Sequence, residues 1–204
     1  MYSPLQQAIV RSDEKRAAEL AAAPAESSGW SLISVIDQLL PFSLFQSNLR
    51  YGSFHAPKMQ LFLRKLTLEG YFSRTTQSDL ARLLAVEMIR CRWIGLNVSI
   101  PEYPEERLTD PLARMLEELS DHNLHNAFYY AGCARKKNPG LLIQTLLRIG
   151  AEHISDNLGH SLSCFYPIMS ELAAGGHRLA GAGIFSYLLY LSRYPVPAGI
   201  GEEK

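Results

Sequence analysis

The sequence predicts an all-α protein, built as a single domain of packed antiparallel helical hairpins from residue 1 to residue 194. Apolar residues recur three and four positions apart through most of the chain, which is the spacing of a buried helix face. No segment alternates apolar and polar residues as a half-buried strand does. Short breaks rich in proline, glycine and serine divide the chain into roughly eight to ten helices. A solenoid-like stack of hairpins is the alternative arrangement within this class.

The N-terminal segment contains a helix start and an internal break. Ser3 can cap a helix, and Pro4 suits the first helical position because no N–H is needed there. The polar pair Ser12-Asp13 then interrupts the apolar stripe. We therefore expect either two short helices around a tight joint or one helix that kinks at this pair.

Three more helices are predicted in the first half of the chain. The first covers residues 30–40 and ends at Pro41, because proline lacks the N–H that a helix interior uses. The second begins near His55. The third covers residues 77–93, and Leu83 belongs to its predicted buried stripe.

In the second half, Asp110-Pro111 marks the start of a short amphipathic helix. A closely spaced series of helices follows it. They are predicted at residues 121–137, 141–157, 161–174 and 177–193. Residues 195–204 are expected to form a flexible C-terminal tail, as chain ends do when nothing holds them.

Composition limits the classes of partner and the cellular compartment. The formal net charge is zero, so we expect no nucleic-acid partner. The three cysteines, Cys91, Cys133 and Cys164, include no CxxC pair, which argues against a disulfide framework. The first residues lack the apolar core of a signal peptide, and the apolar run 179–191 is too short to cross a bilayer. These features predict a cytoplasmic protein without a membrane partner.

Four of the six histidines lie between Asp121 and Cys164. His122 and His125 are three residues apart and would share one helix face. His153 and His160 are seven apart, with Asp156 between them on the same side of a helix. Since the Asn138-Pro139-Gly140 break should fold one helix back on the next, we expect a polar cleft that gathers these side chains.

The predicted cleft has two chemical interpretations. Imidazole and carboxylate groups are common ligands of transition metals, so a metal site is one of them. Its ligands would be His122, His125, His153, Asp156 and His160. The other interpretation is a metal-free site for a planar organic substrate, with general acid and base groups. Its catalytic residues would be His125, His153, His160 and Tyr129. The cofactor is otherwise unknown, and purely structural histidines remain the third alternative.

Three segments resemble the questin oxidase-like family. They are FHAPKMQLFLRKL, LHNAFYYAGCARKKNPGLLIQTLL and GHSLSCFYPIMSEL, each led by a histidine: His55, His125 and His160. The resemblance extends over residues 54–194 as a pattern. It implies a helical enzyme that oxidises aromatic compounds derived from polyketides, with these three histidines as site residues. The members of that family are considerably longer than this chain.

Three functions are therefore expected. The first is an oxidoreductase-like enzyme that acts on a small organic molecule in a cleft lined by histidine and tyrosine. The second is a non-enzymatic helical scaffold for protein–protein interaction, with a homo-oligomer as one form. That hypothesis predicts an exposed apolar patch on the C-terminal segment SYLLYLSRY, residues 186–194. The third is a small-molecule or metal-binding helical module.

Overall fold

The computed structural model describes residues 2–22, 29–44, 55–90, 109–156, 159–174 and 179–200. Within these residues the protein has ten α-helices and no strand, which confirms the all-α prediction. Contacts between Cα atoms divide the chain into two compact units, Met1–Leu96 and Asn97–Lys204, and each is described by itself. The single domain predicted for residues 1–194 stays a prediction. None of the described helices has both the length and the apolar character that crossing a bilayer requires.

The described part of the first unit contains five helices. They are α1 (Pro4–Val10), α2 (Glu14–Ala21), α3 (Leu32–Leu44), α4 (His55–Leu68) and α5 (Arg74–Arg90). The predicted start of α1 is confirmed, because the Ser3 hydroxyl accepts a hydrogen bond from the Gln6 backbone N–H. Ser12 adopts a positive φ of 56° between α1 and α2, so the polar pair does separate two short helices.

One continuous apolar core holds the first unit together. The helix α3 is buried along most of its length and packs against α4 and α5, while α1 and α2 pack together and against α5. A buried polar contact also joins three of these helices. The Ser43 hydroxyl donates to Gln60 Oε1 at 2.8 Å, and the Gln60 amide contacts Met88 Sδ at 3.2 Å.

Two sequence predictions for the first unit are wrong. Pro41 does not end α3, which continues to Leu44. The residues after the proline, Phe42 among them, are almost completely buried, and this burial outweighs the backbone hydrogen bond that proline removes. Leu83 is 68% exposed rather than buried, because α5 turns the small residues Ala81 and Ala85 toward the core.

The second unit also contains five described helices. They are α6 (Pro111–Ser120), α7 (Leu124–Lys137), α8 (Pro139–Glu152), α9 (His160–Ala174) and α10 (Ala180–Leu191). Each helix packs against the next along the chain, as helical hairpins do, and α10 also contacts α7 and α8. The helix α10 is thus central to this unit, in contact with three others.

This central position overturns the expectation of an exposed patch at residues 186–194. Tyr187, Leu188 and Leu191 are completely buried, and Tyr190 is 5% exposed. The apolar run that was predicted to be available for a partner is instead part of the core of its own unit. The scaffold hypothesis therefore loses the surface that was predicted for it and stays a prediction without a located interface.

Two boundaries near the end of the chain also differ from the predictions. The helix α8 ends at Glu152, and residues 153–156 form a turn. The first residues of the predicted flexible tail make specific contacts: the Pro195 carbonyl lies 2.8 Å from a ring nitrogen of His153. Residues 201–204 lie outside the described part of the chain.

Candidate functional site

His153 is the predicted site residue with the most defined surroundings. It follows the last residue of α8, and its side chain is 12% exposed. Its Nδ1 lies 3.1 Å from Asp156 Oδ2, and its Nε2 lies 2.8 Å from the Pro195 carbonyl oxygen. The ring also stacks on Tyr194, with centroids 5.0 Å apart. His153 therefore ties the turn after α8 to the segment after α10.

This arrangement involves both nitrogens of the His153 ring. Nδ1 contacts a carboxylate oxygen, and Nε2 contacts a carbonyl oxygen. A metal ligand needs a ring nitrogen that is available to the metal, and in this structure each nitrogen already contacts an oxygen of the protein.

The other predicted histidines of this unit lie at helix starts and turns. His122 is exposed in the turn before α7 and has a positive φ of 57°. His125 is exposed in the first turn of α7, and His160 is the half-buried first residue of α9. Tyr129 is half-buried on α7, with its ring edge-on to Tyr130 at 5.2 Å.

These residues do not come together as the predicted metal site. In the described ranges, which include all five proposed ligands, no three His, Cys, Asp or Glu side chains form a group able to hold a metal ion. The reason is local, because α8 stops at Glu152 and the helical spacing assumed for His153, Asp156 and His160 does not apply. His153 and Asp156 are the pair that the structure does bring together.

The catalytic roles expected of these side chains stay predictions. His55 is exposed at the start of α4 and belongs to the first unit. In the second unit, Tyr187 and Tyr190 are more buried than Tyr129, and burial raises the pKa of each phenol above its ordinary value of 10.0. The hydrogen bond with Tyr194 raises the pKa of Tyr190 further. Both phenols therefore remain neutral at ordinary pH.

A concave feature lined by described residues lies elsewhere in the second unit. It is a cleft of about 470 Å³, bounded by the start of α6, the end of α7 and one side of α8. Ile200, from the segment after α10, also lines it. The volume is within the roughly 300–1,000 Å³ that is typical of small-molecule sites.

Two capped helix starts shape this cleft. Asp110 caps α6, and its Oδ1 accepts a hydrogen bond of 3.0 Å from the Ala113 backbone N–H. Asn138 is both the last cap of α7 and the first cap of α8, where its Oδ1 accepts from the Leu141 N–H at 3.1 Å. Because one residue joins α7 to α8, the cleft wall is fixed at this corner.

One face of α8 supplies the polar wall of the cleft. Three polar residues of α8 line it: Gln144, Thr145 and Arg148. Arg148 follows the other two by four and three positions, so all three lie on one side of the helix. Thr145 is 6% exposed, and its side chain is one of the polar groups in the lining of the cleft.

Arg148 and Gln144 are exposed at the cleft, and neither forms an ion pair or hydrogen bond within the described parts of the chain. Lys137 has a defined role instead, because its Nζ donates to the Thr109 carbonyl at 3.0 Å. The apolar part of the lining includes Leu141 and the fully buried Leu142, which precede Gln144 and Arg148 on α8. The cleft is therefore amphipathic.

Sequence reasoning did not find this cleft. Two residues that line it were singled out from the sequence: Asn138 as part of a break between helices, and Asp110 as a helix start. The side chains Thr145 and Arg148 interrupt an apolar run, LLIQTLLRIG, but an interruption of this kind also occurs on any solvent-facing helix side. Only the packing of α6 and α7 shows that this side faces a cleft.

Comparisons with known proteins do not assign a function, so a functional proposal depends on the geometry of the structure. No protein-family model, curated protein or solved structure gives a significant match to this chain. The resemblance to the questin oxidase-like family therefore stays a prediction.

Proposed function

We propose that the protein is a small-molecule binding module whose ligand occupies the cleft between α6, α7 and α8. The observation that carries this proposal is the cleft itself, which has a volume of about 470 Å³ and combines apolar lining such as Leu141 with polar side chains such as Thr145 and Arg148. Small-molecule sites combine apolar walls with a few such polar groups, which fix the orientation of the ligand. This cleft has both.

The proposal corresponds to the third function expected from the sequence. An oxidoreductase-like enzyme remains a proposal of lower support, because the histidines on which it depends do not line the cleft. A cytoplasmic location also remains a proposal, supported by a cysteine set of the sequence that includes no CxxC pair. The cleft needs neither a nucleic acid nor a second copy of the chain as partner.

Binding of small molecules to the cleft is tested by fragment screening with protein NMR. We expect bound fragments to shift the backbone amide signals of residues 141–148 most strongly, since these line or adjoin the cleft. Leu141→Trp should fill part of the cleft and abolish these shifts. Leu147→Trp is the matched control, because Leu147 is also half-buried on α8 but does not line the cleft.

A second variant separates ligand binding from stability. Thr145→Val keeps the size of the side chain and removes a polar group that lines the cleft, so the free energy of unfolding should change by less than about 1 kcal/mol. Fragment affinity should fall. Fragments that shift only amides outside the cleft, or that bind Leu141→Trp as well as the parent protein, would contradict the proposed function.

A further inference from the structure

The charges around the cleft are unevenly distributed. Among its described lining residues, Lys137 and Arg148 are cationic and Asp110 is anionic. Lys137 donates to the carbonyl of Thr109, the neighbour of Asp110, so these two opposite charges lie at the same end of the cleft. The positive charge that is left without a counterpart in the wall belongs to Arg148.

Arg148 also has polar neighbours of the right kind for an anion. Gln144 and Thr145 precede it by four and three residues on the same face of α8, and both line the cleft. The Gln144 amide and the Thr145 hydroxyl can each donate a hydrogen bond. The planar guanidinium of arginine matches a carboxylate with two parallel N–H donors.

The rest of the wall favours an apolar ligand body. Leu142 is fully buried and Ala134 is 4% exposed, and both line the cleft beside Leu141. These residues lie on the side of the cleft toward the joint between α7 and α8. Arg148 lies farther along α8, about 10 Å from Leu141 at 1.5 Å of rise per residue. The charged and apolar parts of the wall are therefore separated along the helix.

We propose that the cleft binds an amphipathic monocarboxylate, with its carboxylate on Arg148 and the Thr145 hydroxyl and its apolar body against Leu141 and Leu142. This inference rests on the proposed function and specifies the ligand class for the same cleft. One negative charge on the ligand balances the cation that has no counterpart among the described lining residues, Arg148. The carboxylate thus binds at the Arg148 end of the α8 wall, and the apolar body of the ligand packs against the Leu141 end.

The same geometry disfavours a phosphate ligand. Helix starts bind phosphate through their free N–H groups. Here both helix starts at the cleft are already capped by side chains of the chain itself, Asp110 on α6 and Asn138 on α8. A phosphate monoester would also bring close to two negative charges against one unmatched cation.

The test compares three eight-carbon probes, octanoate, octanol and octyl phosphate, by NMR titration of the full chain. They share the apolar tail and differ in the head group. Octanoate should bind at least about tenfold more tightly than octanol, as a charge-assisted hydrogen bond allows. Equal affinity for octanol, or tighter binding of octyl phosphate, would overturn the monocarboxylate.

Variants of Arg148 test whether the carboxylate of octanoate binds at this residue. Arg148→Gln should weaken octanoate binding roughly 10- to 100-fold and weaken octanol binding much less, since octanol has no charge to pair with the guanidinium. Arg148→Lys keeps the charge but loses the planar fork, so its affinity for octanoate should be intermediate. Lys136→Gln is the matched control, since Lys136 is an exposed cation next to Lys137 that does not line the cleft. Unchanged octanoate affinity in Arg148→Gln would overturn the assignment.

Failure of this inference and failure of the proposed function give different results. If fragments or octanol shift the amides of α8 but carboxylates have no preference, the cleft is a binding site and the monocarboxylate is wrong. If no molecule of any class shifts these amides, the proposed function is wrong and the inference fails with it. Circular dichroism of each variant, matching that of the parent, confirms that the affinities refer to folded protein.

Discussion

At the scale of single residues, Gly150 shows why three helices of the second unit, α8, α9 and α10, can meet so closely. A Cβ atom at this position would overlap the Tyr187 hydroxyl and lie 3.1 Å from the Ser161 side chain. Tyr187 has no exposed surface, and its ring stacks on Phe165 with centroids 3.8 Å apart, so the phenol has little room to move. The Ser161 hydroxyl in turn donates to the Gly150 carbonyl at 2.8 Å. Glycine is therefore required by the contact itself.

The first prediction at this scale concerns that contact. Gly150→Ala should lower the free energy of unfolding by about 1–3 kcal/mol, because the added methyl group overpacks a filled core. Gly140→Ala on the same helix is the control, since a Cβ there would meet Asn138 Oδ1 at an ordinary 3.6 Å. It should leave stability unchanged or raise it by about 0.4–1 kcal/mol. Chemical denaturation measures both, and equal effects would show that Gly150 is not specially packed.

The histidines show how far residue spacing can predict a site. The spacing of His153, Asp156 and His160 predicts one helix face only if the helix continues through all three. The helix α8 ends before His153, so this spacing does not place the three side chains on one helix face. The proximity of His153 to Asp156 was still predicted correctly, because residues three apart also meet across a turn. The contact with Pro195 was not predictable, since it joins positions far apart in sequence.

At the scale of helices, two starts were predicted where the local sequence contains their physical cause, because Ser3 and Asp110 each precede a proline and cap a helix. Asn138 was predicted only as part of a break before residue 141, but it also precedes a proline and caps α8. The end of α3 depends instead on how deeply Phe42 and its neighbours are buried, which sequence does not state. Two of these capped starts border the cleft. The helix boundaries that border the cleft could thus be predicted from the sequence, although the cleft itself could not.

The prediction at this scale concerns the segment after α10. His153→Phe should keep an aromatic ring beside Tyr194 but remove both hydrogen-bonding contacts, so residues 194–200 should be held less firmly. We expect faster amide hydrogen exchange there and a loss of about 0.5–1.5 kcal/mol in stability. Because Ile200 lines the cleft, ligand affinity should fall as well. His125→Phe, at an exposed position on α7, is the control, and an equal effect from it would contradict the role given to His153.

At the scale of the whole molecule, the sequence predicted the fold class but not the division of the chain. Helical periodicity and short breaks are the same in both units, so they contain no signal of a boundary. The cleft shows the same limit. Its walls come from residues 109–113, 134–148 and Ile200, which local patterns cannot connect. All of these segments belong to the second unit.

The last prediction follows from that placement. A fragment of residues 97–204 contains its own buried core around α10 and every described residue that lines the cleft. We expect it to give a helical circular dichroism spectrum, to unfold cooperatively on heating, and to bind octanoate within about threefold of the full chain, a difference below roughly 1 kcal/mol. The same fragment with Leu146→Asp, which places a charge in that core, should be unfolded and should not bind. An unfolded parent fragment would instead support the single domain predicted for residues 1–194, because the second unit would then depend on the first for its stability.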